Sequence, residues 1–383
     1  MISINNVKIR HLIHSCTDMP QRQLKITKNV ISSMKNVLFL FLFIIPLINL
    51  AQDDSDTKRD SILTWYEKGF LSFGAGDIQG SIKWYTEAID NSVSFSEAYH
   101  ARGLSYLRLG KSKEALEDFN KAIIQKNTNS NYYASRGLAK MELNKDNEAL
   151  DDFTEAIRLD SLNPQANFNK GFLLHHHQAY GEAIKHFNRV IDYKDTDQNK
   201  PYIRGSYFYR GLCFNVLRKN EKALSDFDEV VNLDPKDAEA LYYRAMIKHE
   251  QGEYQDALSD YDRVLKLQPN FSGAYYRRGM TLGQMERYQK AIEDFNKTII
   301  LNPKSYAAYE MRALAKAKTG SVESALEDLY TSLELNDKNG NAYLMAGNLE
   351  HGLGNNEKAC ENFKMAKALK APGSDYYLTT LCQ

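Results

Sequence analysis

SGAYYRRGMTLGQMERYQKAIEDFNKTIILNPKS, residues 272–305, is the stretch that decides the fold. Tyr275, Gly279 and Leu282 fall at i, i+4 and i+7, one stripe of a helix. Residues 284–287 form a turn region. Ala291, Phe295 and Thr298 repeat the stripe on a second helix. Asn302 and Pro303 then stop that helix, because proline cannot continue it. A glycine inside the first helix costs helix propensity. It is tolerated where a neighbour must come close, and the large residue on the second helix fills the space beside it. Neither helix hides its apolar face alone, so stacking must supply the core.

The same grammar runs outward in both directions with a period of 34 residues. A small residue is followed sixteen positions later by an aromatic or large apolar one: Gly69 and Tyr85, Gly103 and Phe119, Gly137 and Phe153, Gly171 and Phe187, Gly211 and Phe227. Ala245 and Tyr261, Gly279 and Phe295, Ala313 and Leu329, Gly347 and Phe363 continue the series. An alanine stands twelve positions after the small residue in eight of the nine repeats, and Ser81 replaces it in the first. The repeats span 62–95, 96–129, 130–163, 164–197, 204–237, 238–271, 272–305, 306–339 and 340–373, with a short insertion at 198–203. Residues 374–383 are expected to form a C-terminal capping helix, and 52–61 a linker. A strict period of this size predicts a solenoid, not a globule with one active-site cleft.

Aromatic, small, apolar, then Ala, large apolar, Ala and Pro at this spacing resembles the tetratricopeptide repeat. The second repeat shows it in Tyr99, Gly103, Tyr106, Ala115, Phe119 and Ala122. The resemblance covers about residues 62–373. It departs at Ser72 and Ser81 in the first repeat, Asn167 in the fourth, and Leu329 and Ser332 in the eighth. It implies an all-α fold, a right-handed α–α superhelical solenoid whose first helices line the concave side. Such grooves hold an extended peptide or a helix of a partner protein.

Nine repeats in one chain also show covariation. The residue before the small one is Arg in six repeats: Arg102, Arg136, Arg210, Arg244, Arg278 and Arg312. The residue before the large apolar one is Asp in the same six: Asp118, Asp152, Asp226, Asp260, Asp294 and Asp328. Where Arg is replaced by Lys68, Lys170 or Ala346, Asp is replaced by Trp84, His186 or Asn362. This predicts one Arg–Asp bridge within each of the six repeats, since the guanidinium fork matches a carboxylate.

Of 49 basic and 49 acidic residues, six and one fall in residues 1–51, so the remainder carries 43 and 48. A mildly acidic body argues against nucleic acid. Residues 34–51 read MKNVLFLFLFIIPLINLA: a charged start at Lys35, an apolar core and a small residue at Ala51. That is the layout of a secretory signal peptide. Met34 is then the expected start, and residues 1–33 a non-native extension or disordered. The protein is expected to be exported, periplasmic or associated with the cell envelope. The alternative is an uncleaved membrane anchor at residues 37–50, the only route to a membrane.

No active site, cofactor or metal site is expected. The run His175, His176 and His177 reads as a solvated helix end, because consecutive helix positions diverge by about 100°. Gly74, Gly76 and Gly80 sit in a turn that follows no strand, so they do not form a phosphate loop. Cys16 lies ahead of the expected start and Cys213 on a first helix. In a stack of this kind, Cys360 and Cys382 are a candidate disulfide in an exported protein. The stripe one residue beyond the small residues offers groove candidates: Tyr66, Phe168, Phe208, Tyr242, His249 and Tyr276. Phe208, Tyr242 and Tyr276 form an aromatic row, and aromatics make strong anchors. The competing reading of this row is extra packing between repeats, and the middle residue of each triplet is expected to pack. The chain therefore reads as a non-catalytic scaffold for another protein, or else as a structural or anchoring element of the cell envelope.

Overall fold

A computed structural model describes residues 56–92, 94–193 and 200–382. The expected extension with Cys16, the signal segment, residues 52–55 of the expected linker, and residues 194–199 lie outside the described residues. Nineteen helices and no strands are present among the described residues. The chain divides into two compact bodies between residues 233 and 234.

The first body holds α1 (Asp56–Ala75), α2 (Ile78–Asp90), α3 (Ser96–Arg108), α4 (Ser112–Gln125) and α5 (Ser130–Glu142). It continues with α6 (Asp146–Leu159), α7 (Pro164–His176), α8 (Tyr180–Asp192), α9 (Lys200–Val216) and α10 (Asn220–Leu233). The second body holds α11 (Ala238–Glu250), α12 (Tyr254–Leu267), α13 (Ser272–Gln284), α14 (Tyr288–Leu301) and α15 (Tyr306–Lys318). It ends with α16 (Val322–Leu335), α17 (Gly340–Gly352), α18 (Asn356–Ala368) and α19 (Ser374–Leu381). Within each body every first helix packs on its own second helix and, after the opening hairpin, on the second helix before it. None of these helices is long and apolar enough to cross a membrane.

The small residues do what their spacing implies. A Cβ on Gly279 would stand 2.8 Å from the Phe295 ring, and one on Gly103 2.6 Å from Phe119. Phe119, Phe153, Phe187, Phe227, Tyr261 and Phe363 are fully buried behind them, beside alanines such as Ala115 and Ala257. The turn between the two helices has a uniform backbone requirement. Residue seven after the small one has positive φ in every repeat: Gly76, Gly110, Gly252, Gly320 and Gly354, but also Asn144, Gln178, Arg218 and Glu286. Side chains rarely adopt this left-handed conformation, so four repeats accept strain to keep the hairpin geometry.

Two expected boundaries shift. Helix α1 begins at Asp56, inside the expected linker. Helix α9 begins at Lys200, so residues 200–203 of the expected insertion extend the first helix of repeat 5.

Candidate functional site

Three layers of chemistry meet on the first helices. The innermost is the polar ladder. Each of the six arginines donates through Nε and Nη2 to the two carboxylate oxygens of the aspartate in its own repeat, at 2.5–2.9 Å. The aspartate side chains are only 3–6% exposed. Five of the six guanidiniums also lie over the aromatic three residues earlier, as Arg136 over Tyr133 at 5.3 Å; Leu241 stands there before Arg244. Burial pushes the Asp226 and Asp294 carboxyls up, against the opposing pull of Arg210 and Arg278.

Two further arms were not drawn from the sequence. The free Nη1 reaches back to the preceding repeat: Arg102 to Thr86 at 3.0 Å, Arg136 to Asn120 at 3.0 Å, Arg278 to Asp262 at 2.6 Å and Arg312 to Asn296 at 2.7 Å. Arg210 spans the insertion to reach Asn188 at 2.6 Å. A second cation joins three of the aspartates: Lys140 on Asp152, Lys248 on Asp260 and Lys316 on Asp328, at 2.7–2.9 Å. The signal for it was there, since each lysine lies four residues after the arginine and so on its helical face.

The second layer is aromatic, and it modifies the groove expectation. Phe168 is only 4% exposed and is no groove residue. The extra turn of α9 is the reason. Tyr202 and Tyr209 cover Phe168, with ring centroids at 5.6 and 6.1 Å, and Gly205 lets the backbone close over it. Tyr66, Phe208, Tyr242 and Tyr276 are half-buried. Each leans on the large ring of its own second helix: Tyr66 on Tyr85 at 5.5 Å, Phe208 on Phe227 at 5.9 Å, Tyr242 on Tyr261 at 6.1 Å and Tyr276 on Phe295 at 6.0 Å. His249 is also half-buried, its Nδ1 at 2.9 Å from Thr281 Oγ1.

The third layer is what packing leaves over. The middle residue of each triplet was expected to pack; Leu104, Leu138 and Met280 do pack against core clusters and still keep part of their surface open. Leu104, Leu138, Phe172 and Leu212 in the first body, and Met246 and Met280 in the second, are half-buried; Leu314 is 42% exposed. These residues follow the small one directly, so they turn about 100° away from the buried stripe.

The remaining candidates are placed as follows. Cys360 and Cys382 form a disulfide that ties α18 to α19, where Phe363 and Tyr377 stack at 5.0 Å. Cys213 is free and buried, and burial pushes its thiol up to about 12. His176 and His177 are exposed at the end of α7, whereas His175 is half-buried between Tyr180 and Tyr209. Burial pushes His100, His175 and His186 down to about 4, so all three are neutral at physiological pH. Among the described residues no cluster of three or more His, Cys, Asp or Glu side chains could hold a metal ion.

The family described as tetratricopeptide repeat matches residues 96–129, 134–200, 238–271 and 272–305. No curated protein sequence matches the chain. Among solved structures, Pseudomonas aeruginosa pilF is 19% identical, with a TM-score of 0.50, covering 57% of this chain and 96% of its own. YrrB, described as a TPR protein with an unusual peptide-binding site, is 24% identical over 50% of this chain and 96% of its own, with a TM-score of 0.46. MamA from Desulfovibrio magneticus RS-1 is 24% identical over 44% and 94%, with a TM-score of 0.42. At such identities the likeness to pilF speaks to fold alone.

Proposed function

Since this chain is a tetratricopeptide-repeat protein, a family of generally non-catalytic interaction scaffolds, we propose that it is an exported scaffold that binds another protein through its first-helix, concave face. One observation carries the reading. The first helices bury their small residues and still present a second, half-open apolar stripe, from Leu104 to Leu212 in one body and from Met246 to Leu314 in the other. Asn348 occupies the same position in repeat 9 and is exposed. Contiguous apolar surface of this kind marks interaction sites. Export is supported by the apolar segment at residues 37–50 and by the Cys360–Cys382 disulfide, a bond that persists in oxidising compartments.

The test replaces Met246, Met280 and Leu314 together by Gln. Affinity capture with the full chain from a cell-envelope fraction is expected to recover a partner that the triple variant loses, while helicity by circular dichroism is unchanged. Retention of that partner by the folded variant would remove the proposed face. Failure to capture any protein with the parent chain would favour a purely structural role in the envelope.

A further inference from the structure

In eight of the nine repeats the second helix carries an aliphatic residue thirteen and twenty positions after the small residue, as Leu258 and Leu265 in repeat 6 and Leu326 and Leu333 in repeat 8. These residues receive the next first helix. Leu258 packs in one cluster with Leu282 of α13, and Leu326 and Leu333 in another with Ala342 and Ala346 of α17. All four leucines are buried. Repeat 9 breaks the pattern at both positions, where it has Cys360 and Lys367. Each is still joined to the helix that follows, but not by aliphatic packing. Cys360 is bonded to Cys382 at the end of α19, and Lys367 pairs with Asp375 at 2.8 Å.

The other contacts of α19 are slight. Of its eight residues only Ser374 is buried, whereas α17 buries Ala342, Ala346, Gly347 and Glu350. The Lys367–Asp375 pair is exposed on both sides, and such pairs contribute little. Tyr377 stacks on Phe363, but a helix of eight residues is too short to persist alone in water. Cys360 and Cys382 are only half-buried, within reach of an attacking thiolate. Cys213 is buried in the other body, its thiol pushed up to about 12, so it stays protonated and takes no part in exchange. Position for position, the last repeat replaces a contact that redox chemistry cannot touch by one that it can.

We propose that Cys360–Cys382 is a redox latch: a dithiol reductant opens the bond, α19 leaves α18, and the Phe363 ring is uncovered. A thiolate of the reductant attacks the Cys382 sulfur, forms a mixed disulfide and expels Cys360 as a thiolate. The reductant's second thiolate attacks its own sulfur in that mixed disulfide, closes the reductant's disulfide and expels Cys382. Both cysteine thiolates take up a proton, so the dithiol gives two electrons and two protons to the protein. The latch is independent of the partner-binding reading above, since it uses no residue of the first-helix stripe.

The test treats the full oxidised chain with dithiothreitol in the absence of denaturant. Thiol alkylation with peptide mapping is expected to find Cys360 and Cys382 free and Cys213 protected. By hydrogen exchange, the amides of α19 are expected to exchange on the order of a hundredfold faster, while α11 to α16 are unchanged. C360S/C382S is expected to match the reduced chain with or without dithiothreitol. C360L/K367L/C382S restores the aliphatic pair of the other repeats and is expected to keep α19 protected without the bond, which separates loss of the latch from loss of the fold. A bond that yields only when the whole second body unfolds would overturn the latch and leave a static staple. So would α19 protection that persists once both cysteines are reduced, or a C360L/K367L/C382S chain as unprotected as C360S/C382S.

Discussion

Repeats 4 and 6 join their two helices at the same positions with different chemistry. In repeat 6, Asp260 is 2% exposed and receives both Arg244 and Lys248. In repeat 4 those positions hold Lys170 and His186. His186 instead meets Asn167 at 3.1 Å, the residue that replaces the usual aromatic. Yet Lys170 still reaches back to Thr154 at 2.8 Å, as the arginines reach back elsewhere. The inward bridge and the backward arm are therefore separable. A neutral pair suffices to close a hairpin, whereas contact with the previous repeat survives even when the bridge is gone.

Removing one partner of each closure should sharpen this contrast. D260N leaves two half-buried cations facing a neutral amide and is expected to cost roughly 3–5 kcal/mol. H186N in repeat 4 disturbs one neutral hydrogen bond and is expected to cost about 1 kcal/mol. Urea unfolding of both variants measures the difference. R244M combined with D260N should lose less than the sum of the single variants, and strict additivity would contradict a direct bridge.

Acid offers the reverse experiment, because it should weaken the first body, which holds the three histidines pushed down to about 4, before the second. His100, His175 and His186 all lie in the first body and are held neutral in the fold, their pKa lowered from 6.5 to about 4 by burial. Unfolding frees each to bind a proton below 6.5. Their contribution is therefore complete above that pH and is lost progressively as pH falls toward about 4. At about pH 5.5 the expected loss is about 1 kcal/mol per histidine. Hydrogen exchange, corrected for intrinsic rates, should show α3, α7 and α8 losing protection between neutral pH and that point while α12 to α16 hold theirs. Uniform loss along the chain would break the comparison.

The smallest effect concerns the backward arm alone. N296A removes the acceptor of Arg312 Nη1 and leaves the bridge to Asp328 intact. About 1 kcal/mol of destabilisation is expected. Exchange should rise at the junction of α14 and α15, without change inside the hairpin of α15 and α16.

The hairpins, their period and the partner of each ladder arginine were legible because they follow from local rules. Helical stripes, a stop at proline and a guanidinium fork facing a carboxylate depend on spacing within one repeat, and nine copies let that spacing check itself. The turn residue was half legible: five glycines announce the left-handed backbone, but Asn144, Gln178, Arg218 and Glu286 adopt it under the constraint of the packed helices. The groove was less legible. Phe168 looks like its neighbours in the sequence and is buried only because the helical start of α9 folds over it. Likewise the exposure of Leu314 and the unpartnered Tyr261 hydroxyl are properties of what surrounds each side chain.

The sequence by itself determined the repeating helical hairpin and the chemistry that closes it, since those depend on residues a few turns apart on adjoining helices. Only the tertiary structure decided which apolar and charged groups remain unsatisfied, because burial and the presence of a partner are set by neighbouring repeats whose approach no local pattern encodes.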